Sequence, residues 1–393
     1  MPANTMREVG QRVAATRRAH RMTQQQLSEV SFVSLSMLRK IERGVRFPGD
    51  DTLDALAAAL NVDPSRLLSG QQRTDSRVHE ALPAISAALA SHDDPDDGPV
   101  RPLHELQQSV ADAVDWRLAA QYVQISRHIP DLLAELARAL HIAPPDQRAQ
   151  TASLLVNAYR CADAVAYKFG ARDLSARLID AMRSTVAEAQ DPFLEASVAY
   201  VRTEVFFAAR AHRPGLRALE RAIDASPSPD SPTAAAARGA LHMRAAVIAS
   251  RAANPDAADI HMREAAELGE KVPEDVYQGT AFGPDSVNVH KVSVAVGLGD
   301  DHVQDALDVA SDWKPPEDLP AERRSGFYIE LGRAQLWAGL ADDAFESLKV
   351  ARRIAPQHTR GHRWAREDAA TLRRLKRADA ESLTSFAEWI GAV

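Results

Sequence analysis

The sequence predicts an all-α protein, in which a small N-terminal helical domain is followed by a solenoid of stacked helix pairs. From Leu103 onward, alanine and leucine recur every three or four residues, which is the period of an α-helix. The alternation of polar and β-branched residues that indicates strands is missing there. A group of three small or apolar residues also recurs at nearly regular intervals, which indicates a repeat architecture.

The composition fits a multidomain globular protein. A chain of 393 residues has room for two or three domains, and 45% hydrophobic residues are enough for a sizeable core. The single cysteine, Cys161, excludes an internal disulfide and is typical of a reducing compartment; we expect it to be a small buried residue on a helix. The sequence lacks the basic start followed by an apolar run that is typical of a signal peptide. It also lacks the stretch of 18 apolar residues that a membrane-spanning helix needs. We therefore expect a cytoplasmic protein without a membrane span.

The net charge of −7 hides an asymmetry along the chain. Between Arg7 and Arg46 there are nine Arg or Lys residues and three Glu, a net charge of +6, so the remainder carries −13. A basic module on an acidic body is typical of a protein that binds nucleic acid with one domain and has another role for the rest. Ordinary solvated faces would explain the charges alone, but not the motif that lies among them.

Residues 22–44 carry that motif, two short helices joined by a tight turn. Thr23 and Gln26 fit a capping box at the first helix, and Ser34 fits the N-cap of the second. Leu38 and Ile41 point inward from the second helix. Its opposite side carries Ser36, Arg39, Lys40 and Arg43. A helix with such a basic face can lie in the major groove of DNA.

This spacing resembles the helix-turn-helix (HTH) of the XRE family, the Cro and phage-repressor type, over about residues 7–70. The matching residues are Thr23, Gln24, Leu27, Val33, Ser34, Leu38, Ile41, Glu42, Arg43 and Gly44, then Pro48, Leu53, Leu56, Ala57, Leu60, Val62, Pro64 and Leu67. The resemblance implies a five-helix DNA-binding domain. It implies that Gln24 binds a phosphate, that Leu35, Ser36, Arg39 and Lys40 face bases, and that Arg43 and Arg46 contact the DNA backbone. With Ser34, these are the expected DNA-binding residues.

Two positions depart from the family pattern. Phe32 occupies the turn position usually held by glycine, where a positive φ would cost an aromatic residue roughly 1 kcal/mol or more. Either the turn is distorted or Phe32 adopts another conformation.

Leu35 is apolar where the family often has a polar residue. It either contacts a thymine methyl group or makes the second helix less able to distinguish DNA bases.

The repeat lies in the C-terminal part of the chain. Leu331, Gly332, Gly339, Ala344, Leu348, Ala351 and Pro356 resemble the tetratricopeptide (TPR) pattern. The triplets at offsets 0, +4 and +7 are Leu174, Leu178 and Ala181; Gly215, Leu219 and Ala222; Ala258, Met262 and Ala265; Val303, Leu307 and Ala310; and Ala344, Leu348 and Ala351, at intervals of 41, 43, 45 and 41 residues. Five antiparallel helix pairs would stack into a right-handed superhelix.

The predicted fold is therefore an N-terminal five-helix HTH domain followed by a TPR-like α-solenoid. The predicted domains are residues 1–70, which bind DNA; residues 71–101, a helical connector with an Asp- and Pro-rich linker; and residues 102–393, the TPR-like sensor and dimerisation domain.

Residues 271–291 interrupt the repeat, and an insertion in a solenoid often lies on the binding face. The candidate effector-binding residues are Tyr277, Phe282, Asp285, Asn288, His290 and Lys291. The alternative is that Phe282 and Tyr277 pack between repeats and Asn288 caps a helix. The stretch Phe282-Gly283-Pro284, Val287 and His290 on an Ala-rich body resembles a group of actinobacterial XRE regulators with TPR bodies. That resemblance implies an architecture rather than a ligand.

No catalytic or cofactor motif stands out. His358 and His362 have the spacing of a helical metal pair, but no Glu follows His358 and Gly361 weakens the helix between them, so we expect surface histidines and no metal site. We expect no catalytic residues, no cofactor and no enzymatic activity.

The sequence thus favours a sequence-specific transcriptional regulator, a homodimer on double-stranded operator DNA. Its TPR-like domain would bind a peptide, small-molecule or protein effector and modulate DNA binding. The alternative is a TPR interaction scaffold with a weak or vestigial DNA-binding head.

Overall fold

The computed structural model describes residues 3–20, 22–60, 67, 73–375 and 380–392. These residues form 20 α-helices, a short 3-10 helix and one two-stranded sheet, which confirms the predicted all-α fold class. The chain divides into two compact units, Met1–Arg77 and Val78–Val393. The domain boundaries inferred from the sequence stay predictions.

The N-terminal unit is built around one small apolar core. Its helices are α1 (Ala3–Ala19), α2 (Gln24–Ser31), α3 (Leu35–Glu42) and α4 (Asp50–Ala59). Val13, Leu27, Leu38 and Ile41 are buried together in this core, as the inward-facing positions predict. The predicted fifth helix lies outside the described residues except for Leu67, which is buried.

Helix α5 (Arg73–Ala90) starts in the first unit and continues into the second, where α6 (Leu103–Leu118) and α7 (Tyr122–Ile142) follow. Val78, Ile85 and Leu89 of α5 are buried in the core of this unit. Burying three apolar side chains fixes α5 onto the body rather than leaving it as a flexible connector.

Five helix pairs follow, and each predicted triplet lies on the second helix of a pair. The pairs are α8 (Pro145–Lys168) with α9 (Arg172–Ala189), α10 (Pro192–Ala208) with α11 (His212–Ala225), α12 (Pro232–Arg251) with α13 (Pro255–Gly269), α14 (Pro284–Leu298) with α15 (Val303–Asp312), and α16 (Ala321–Trp337) with α17 (Ala341–Ile354). All triplet residues are buried except Ala222, Val303 and Leu307, which are partly exposed. Cys161 is buried on α8, as expected.

The repeat is also visible in the backbone of the turns. Gly170, Arg210, Ala253 and Gly339 each occupy the middle of a three-residue turn within a pair, and each has a positive φ between 53° and 81°. A left-handed residue at this position ends the first helix and satisfies its last carbonyl groups. Arg210 and Ala253 keep the conformation without being glycine, at a cost of roughly 1 kcal/mol each. The same turn is therefore imposed by packing of the pair as well as by local sequence.

The insertion forms a β-hairpin between α13 and α14. Its strands are β1 (Asp275–Tyr277) and β2 (Thr280–Phe282), antiparallel, with Tyr277 opposite Thr280. Gln278 and Gly279 have φ values of 45° and 69°, the pattern of a two-residue type I′ turn. Phe282 is fully buried, and its ring lies on the face of α12 at Gly239.

Three helices close the body, α18 (Pro356–Gly361), α19 (Arg363–Leu375) and α20 (Ala380–Ile390). Leu383, Phe386 and Ile390 share a core cluster with Phe345 and Leu348 of α17, so α20 covers the last helix pair. Among the described residues, every helix is too short or too polar to cross a lipid bilayer.

Gly239 leaves the space that the ring of Phe282 fills. A Cβ atom at position 239 would lie 2.0 Å from Cζ of Phe282. We expect Gly239→Ala to lower the free energy of unfolding by about 1–3 kcal/mol, because overpacking outweighs the helix propensity gained. Thermal and urea unfolding of the full chain, followed by helical circular dichroism, measure this.

Gly326→Ala is the matched control, because a Cβ atom there would meet only Cε1 of His358 at 3.9 Å. This change in the middle of α16 should be neutral or stabilising by up to about 1 kcal/mol. Equal stability of the two variants would contradict the packing of Phe282 described above.

Candidate nucleic-acid interface and effector site

Side chains cap both helices of the helix-turn-helix as the sequence predicts. The Thr23 hydroxyl accepts from the Gln26 amide at 3.1 Å, and the Gln26 side chain accepts from the Thr23 amide at 2.8 Å. The Ser34 hydroxyl accepts from the Met37 amide at 3.3 Å. These bonds satisfy amides that the first turns would leave unpaired, so α2 and α3 each begin at a defined residue.

Glu42 ties the first three helices together. Its carboxylate accepts from Nε and Nη2 of Arg17 on α1 at 2.7 and 3.0 Å, and from Nε2 of Gln24 on α2 at 2.6 Å. The hydrogen bond to Glu42 raises the pKa of Arg17. The predicted phosphate ligand Gln24 is thus held against α3, with its second amide hydrogen still available to an acceptor.

The outer face of α3 is a basic stripe. Ser36, Arg39, Lys40 and Arg43 are exposed, and their spacing of three and four residues places them on one side of the helix. Leu35 is partly exposed at the start of α3, Ser34 is exposed beside it, and Arg46 is exposed in the following loop. The structure therefore brings the predicted contact residues to the solvent-facing side of α3 and its flanks.

Phe32 keeps the tight turn rather than distorting it. Its φ and ψ are 55° and 19°, the left-handed conformation that glycine supplies in the related pattern, and its side chain is 96% exposed. The left-handed backbone of Phe32 costs about 1–2 kcal/mol of folding free energy, and packing of the exposed ring does not offset this cost. Val30 and Val45 are exposed large apolar residues of the same unit.

The six predicted effector residues do not share one cavity. Phe282 is a core residue on Gly239, because the hairpin turns its ring inward, as the alternative packing interpretation holds. The Tyr277 hydroxyl donates to the Pro273 carbonyl at 3.0 Å. Asp285 accepts from the indole of Trp313 at 2.9 Å.

Asn288 and Lys291 form a pair at the surface of α14. The Lys291 ammonium donates to the Asn288 side chain at 3.1 Å. Asn288 therefore does not cap the helix, which begins at Pro284 after Gly283.

His290 is buried in a polar cluster instead of lining an open groove. Its Nδ1 lies 2.8 Å from the Ser286 carbonyl, and its Nε2 lies 3.0 Å from Nη1 of Arg323. Burial lowers the pKa of His290 well below its ordinary value, and the Arg323 charge adds to this. Because Arg323 can only donate, Nδ1 carries the imidazole proton and donates to Ser286. Arg323 also donates to the Tyr200 hydroxyl at 2.8 Å.

His358 corrects the expectation of surface histidines. It is buried, with Nδ1 2.6 Å from the Ser325 hydroxyl and Nε2 3.2 Å from the Lys168 ammonium. Burial and the neighbouring Lys168 lower its pKa to about 3. Helix α18 brings His358 against α16, a packing that the spacing from His362 does not reveal. Within the described ranges, no group of three or more metal-ligating side chains comes together.

The sequence analysis missed the polar interior of the body. Arg117, Arg160, Lys168 and Glu322 lie inside or at the edge of the helix stack, where a periodic pattern assigns charged residues to solvent. The one available signal was position: Arg160 stands on α8 in the run YRCADAV, on a stretch that is otherwise small and apolar.

The conformation of Phe32 generates a prediction. Phe32→Gly should stabilise the N-terminal unit by about 0.5–1 kcal/mol, because relief of left-handed strain exceeds the chain entropy that glycine adds. Hydrogen exchange of the amides of residues 24–42 in the full chain should slow about two- to fivefold. Val30→Gly removes an exposed side chain from the regular part of α2 and should speed the same exchange. Faster exchange in Phe32→Gly would show that the ring stabilises the unit.

Comparison with known proteins supports the N-terminal part of this picture. Residues 13–67 match the helix-turn-helix family model. The sequence matches no curated protein. Two solved structures overlap with the chain, each with a TM-score of 0.32. One is PlcR of Bacillus thuringiensis in complex with the peptide PapR7 and DNA, with 15% identity over 67% of this chain and 95% of that chain. The other is the apo form of the competence regulator ComR of Streptococcus vestibularis, with 11% identity over 96% and 99%. The family match alone identifies a helix-turn-helix domain in the N-terminal unit.

Proposed function

We propose that this protein is a sequence-specific, DNA-binding transcriptional regulator, and that its helical body binds an effector that modulates DNA binding. The observation that carries the proposal is the exposed basic stripe on α3, in a helix-turn-helix whose two helices are both capped. A solvated helix face would need neither the second capped helix nor the fixed turn between them.

The stripe fits the major groove. Arg39 and Lys40 are the residues that recognise guanine O6 and N7, and Leu35 at the start of α3 is placed to contact a thymine methyl group. Ser34, at the N-terminus of α3, would lie near a phosphate, as residues at helix N-termini do. Arg43, Arg46 and Gln24 add contacts to the DNA backbone, which set the register without reading sequence.

The charge distribution supports this division of roles. The stretch from Arg7 to Arg46 carries +6, and the rest of the chain carries −13. Electrostatic attraction to the DNA polyanion acts on the first and opposes the second, so DNA should approach only the N-terminal unit.

A homodimer follows from the size of the reading helix. One eight-residue helix reaches few base pairs, whereas specific affinity in this class of protein comes from two half-sites about 34 Å apart or a multiple of that. The helical body is the part large enough to join two copies. An effector — a peptide, a small molecule or a protein — would act by binding one arrangement of the body more tightly than another.

The reading helix is tested by Arg39→Ala combined with Lys40→Ala. Loss of two base-edge contacts should weaken binding to DNA selected from a random pool at least about a hundredfold. Fluorescence anisotropy at fixed salt measures the affinity. Arg263→Ala with Lys271→Ala, two exposed residues of the body, removes the same charge and should change affinity less than about twofold. Equal affinities in both double variants would overturn the assignment of α3.

The dimer is tested by sedimentation equilibrium of the full chain at micromolar concentration. Without DNA we expect a mass of twice 42.8 kDa, and with DNA the same mass plus that of one bound duplex. A monomer that binds a single half-site tightly would contradict the dimer. A dimer that selects no DNA sequence would favour the interaction scaffold instead.

A further inference from the structure

The turn of the β-hairpin lies against two buried arginines. Nη2 of Arg117, on α6, donates to the Gly279 carbonyl at 2.6 Å. Arg160, on α8, donates through Nη1 to the Gln278 carbonyl and through Nη2 to the Thr280 hydroxyl, both at 2.7 Å. Three consecutive residues thus present three oxygen atoms to two guanidinium groups.

The two guanidinium groups converge on one point. A Cβ atom built on Gly279 would lie 3.0 Å from Nη2 of Arg117 and 3.1 Å from Nη1 of Arg160. Ser197 of α10 completes the site, because its hydroxyl accepts from Arg160 at 2.6 Å and donates to the Gln278 carbonyl at 3.0 Å. Any side chain at position 279 would therefore enter the space between the arginines.

Neither arginine has a counter-ion in contact. Within the part of the chain that the structure describes, Arg117 and Arg160 donate to carbonyl and hydroxyl oxygens and form no ion pair with a carboxylate. Other interior cations of the body do: Lys168 pairs with Glu322 at 2.7 Å, and Arg333 pairs with Asp368 at 2.9 Å.

Holding two unpaired cations here is costly. Arg117 and Arg160 are only 7% and 8% exposed, and Nε of Arg117 has no hydrogen-bond partner. Burial, with the like charge of Arg117, lowers the pKa of Arg160 to about 9. Buried charges are ordinarily paired, as Lys168 and Arg333 are, and this site departs from that rule.

The backbone of the hairpin turn is strained at its first residue, whose side chain also donates to Asp191 at 3.0 Å. Gln278 has a left-handed φ of 45°, which costs a residue with a side chain about 1 kcal/mol. Gln278 and Gly279 are partly exposed, so solvent reaches the turn. The base of β2 is anchored by Phe282 in the core, which leaves the turn as the part that can withdraw.

We propose that Arg117, Arg160 and Ser197 form a binding site for the carboxylate or phosphate group of the effector, and that the turn Gln278–Thr280 occupies this site in its absence. The carbonyl and hydroxyl oxygens of the turn stand in for the oxygens of the anion. The inference rests on the proposed effector-binding role of the body, and it names the chemistry of the ligand.

An anion would compete with the turn because of its charge. A guanidinium can donate two parallel hydrogen bonds to a carboxylate or phosphate, and it gains the attraction of the opposite charge, which a neutral carbonyl does not supply. It would also bring negative charge to two buried cations that contact only neutral oxygens of the turn. The turn joins α6, α8 and α10 through these bonds, so its displacement would change how three helices of the body are held.

Competition gives the site a testable signature. Isothermal titration of the full chain without DNA, at constant ionic strength, would use inorganic phosphate in one arm and succinate in the other. Thr280→Ala removes one bond from the turn to Arg160 and should tighten binding of the anion about tenfold. Arg117→Lys and Arg160→Lys keep the charge but lose the bidentate geometry, and should weaken binding at least about tenfold.

Thr371→Ala is the matched control. Thr371 on α19 likewise accepts from an arginine, Nη2 of Arg374, at 2.9 Å, but it lies on an exposed helix face. The Thr371→Ala variant should bind either anion with the same affinity as the unaltered protein. The arm that saturates identifies the group as phosphate or carboxylate.

The decisive variant is Thr280→Ala, once circular dichroism has shown that it is folded at the temperature of the titration. If it binds neither anion saturably, or binds no more tightly than Thr371→Ala, the inference is overturned. Because no DNA is present, this outcome is separate from the proposed function: loss of DNA recognition with intact anion binding would count against the regulator alone.

Discussion

The contact of the Phe282 ring with Gly239 holds the other interactions of the insertion in place. With the ring seated on α12, β2 has a fixed position, and its turn reaches the interior of the helix stack. There it supplies the oxygens that Arg117 and Arg160 need. If the Phe282 ring did not hold the hairpin here, the two buried guanidinium groups would lose most of their hydrogen-bond partners. Each loss would lower the free energy of unfolding by several kcal/mol. The polar contacts of Arg117 and Arg160 with the hairpin turn therefore depend on the apolar contact between Phe282 and α12.

In the N-terminal unit, partly buried polar contacts hold an exposed surface in place. Glu42 fixes Arg17 and Gln24 and so sets the angles between α1, α2 and α3. The basic stripe of α3 faces solvent. The tight turn between α2 and α3 is kept although Phe32 has a strained left-handed backbone and its ring is exposed to solvent. A charged, preformed surface of this kind suits a polyanion.

Much of this could be predicted from the sequence, because it rests on local chemistry. The caps at Thr23 and Ser34 and the triplets of the helix pairs depend on residues a few positions apart, which a sequence displays directly. The register departs from the prediction at Ala222 in α11 and in α15, where Val303 and Leu307 are partly exposed and Ala306, after a short 3-10 helix, is fully buried. The arginine site could not be predicted, since Arg160 meets its acceptor 118 residues away and Arg117 meets its own 162 residues away. Three-residue strands are also too short to show a period.

The central claim is that α3 reads bases in the major groove of DNA. The most direct measurement is selection of bound DNA from a random pool, followed by dimethyl sulfate protection of the selected sequence, because this reagent methylates guanine N7 in the major groove. We predict an enriched sequence with two inverted half-sites, about 34 Å apart or a multiple of that, whose guanine N7 atoms are protected. No enriched sequence, or an enriched sequence whose guanines stay fully reactive, would contradict it.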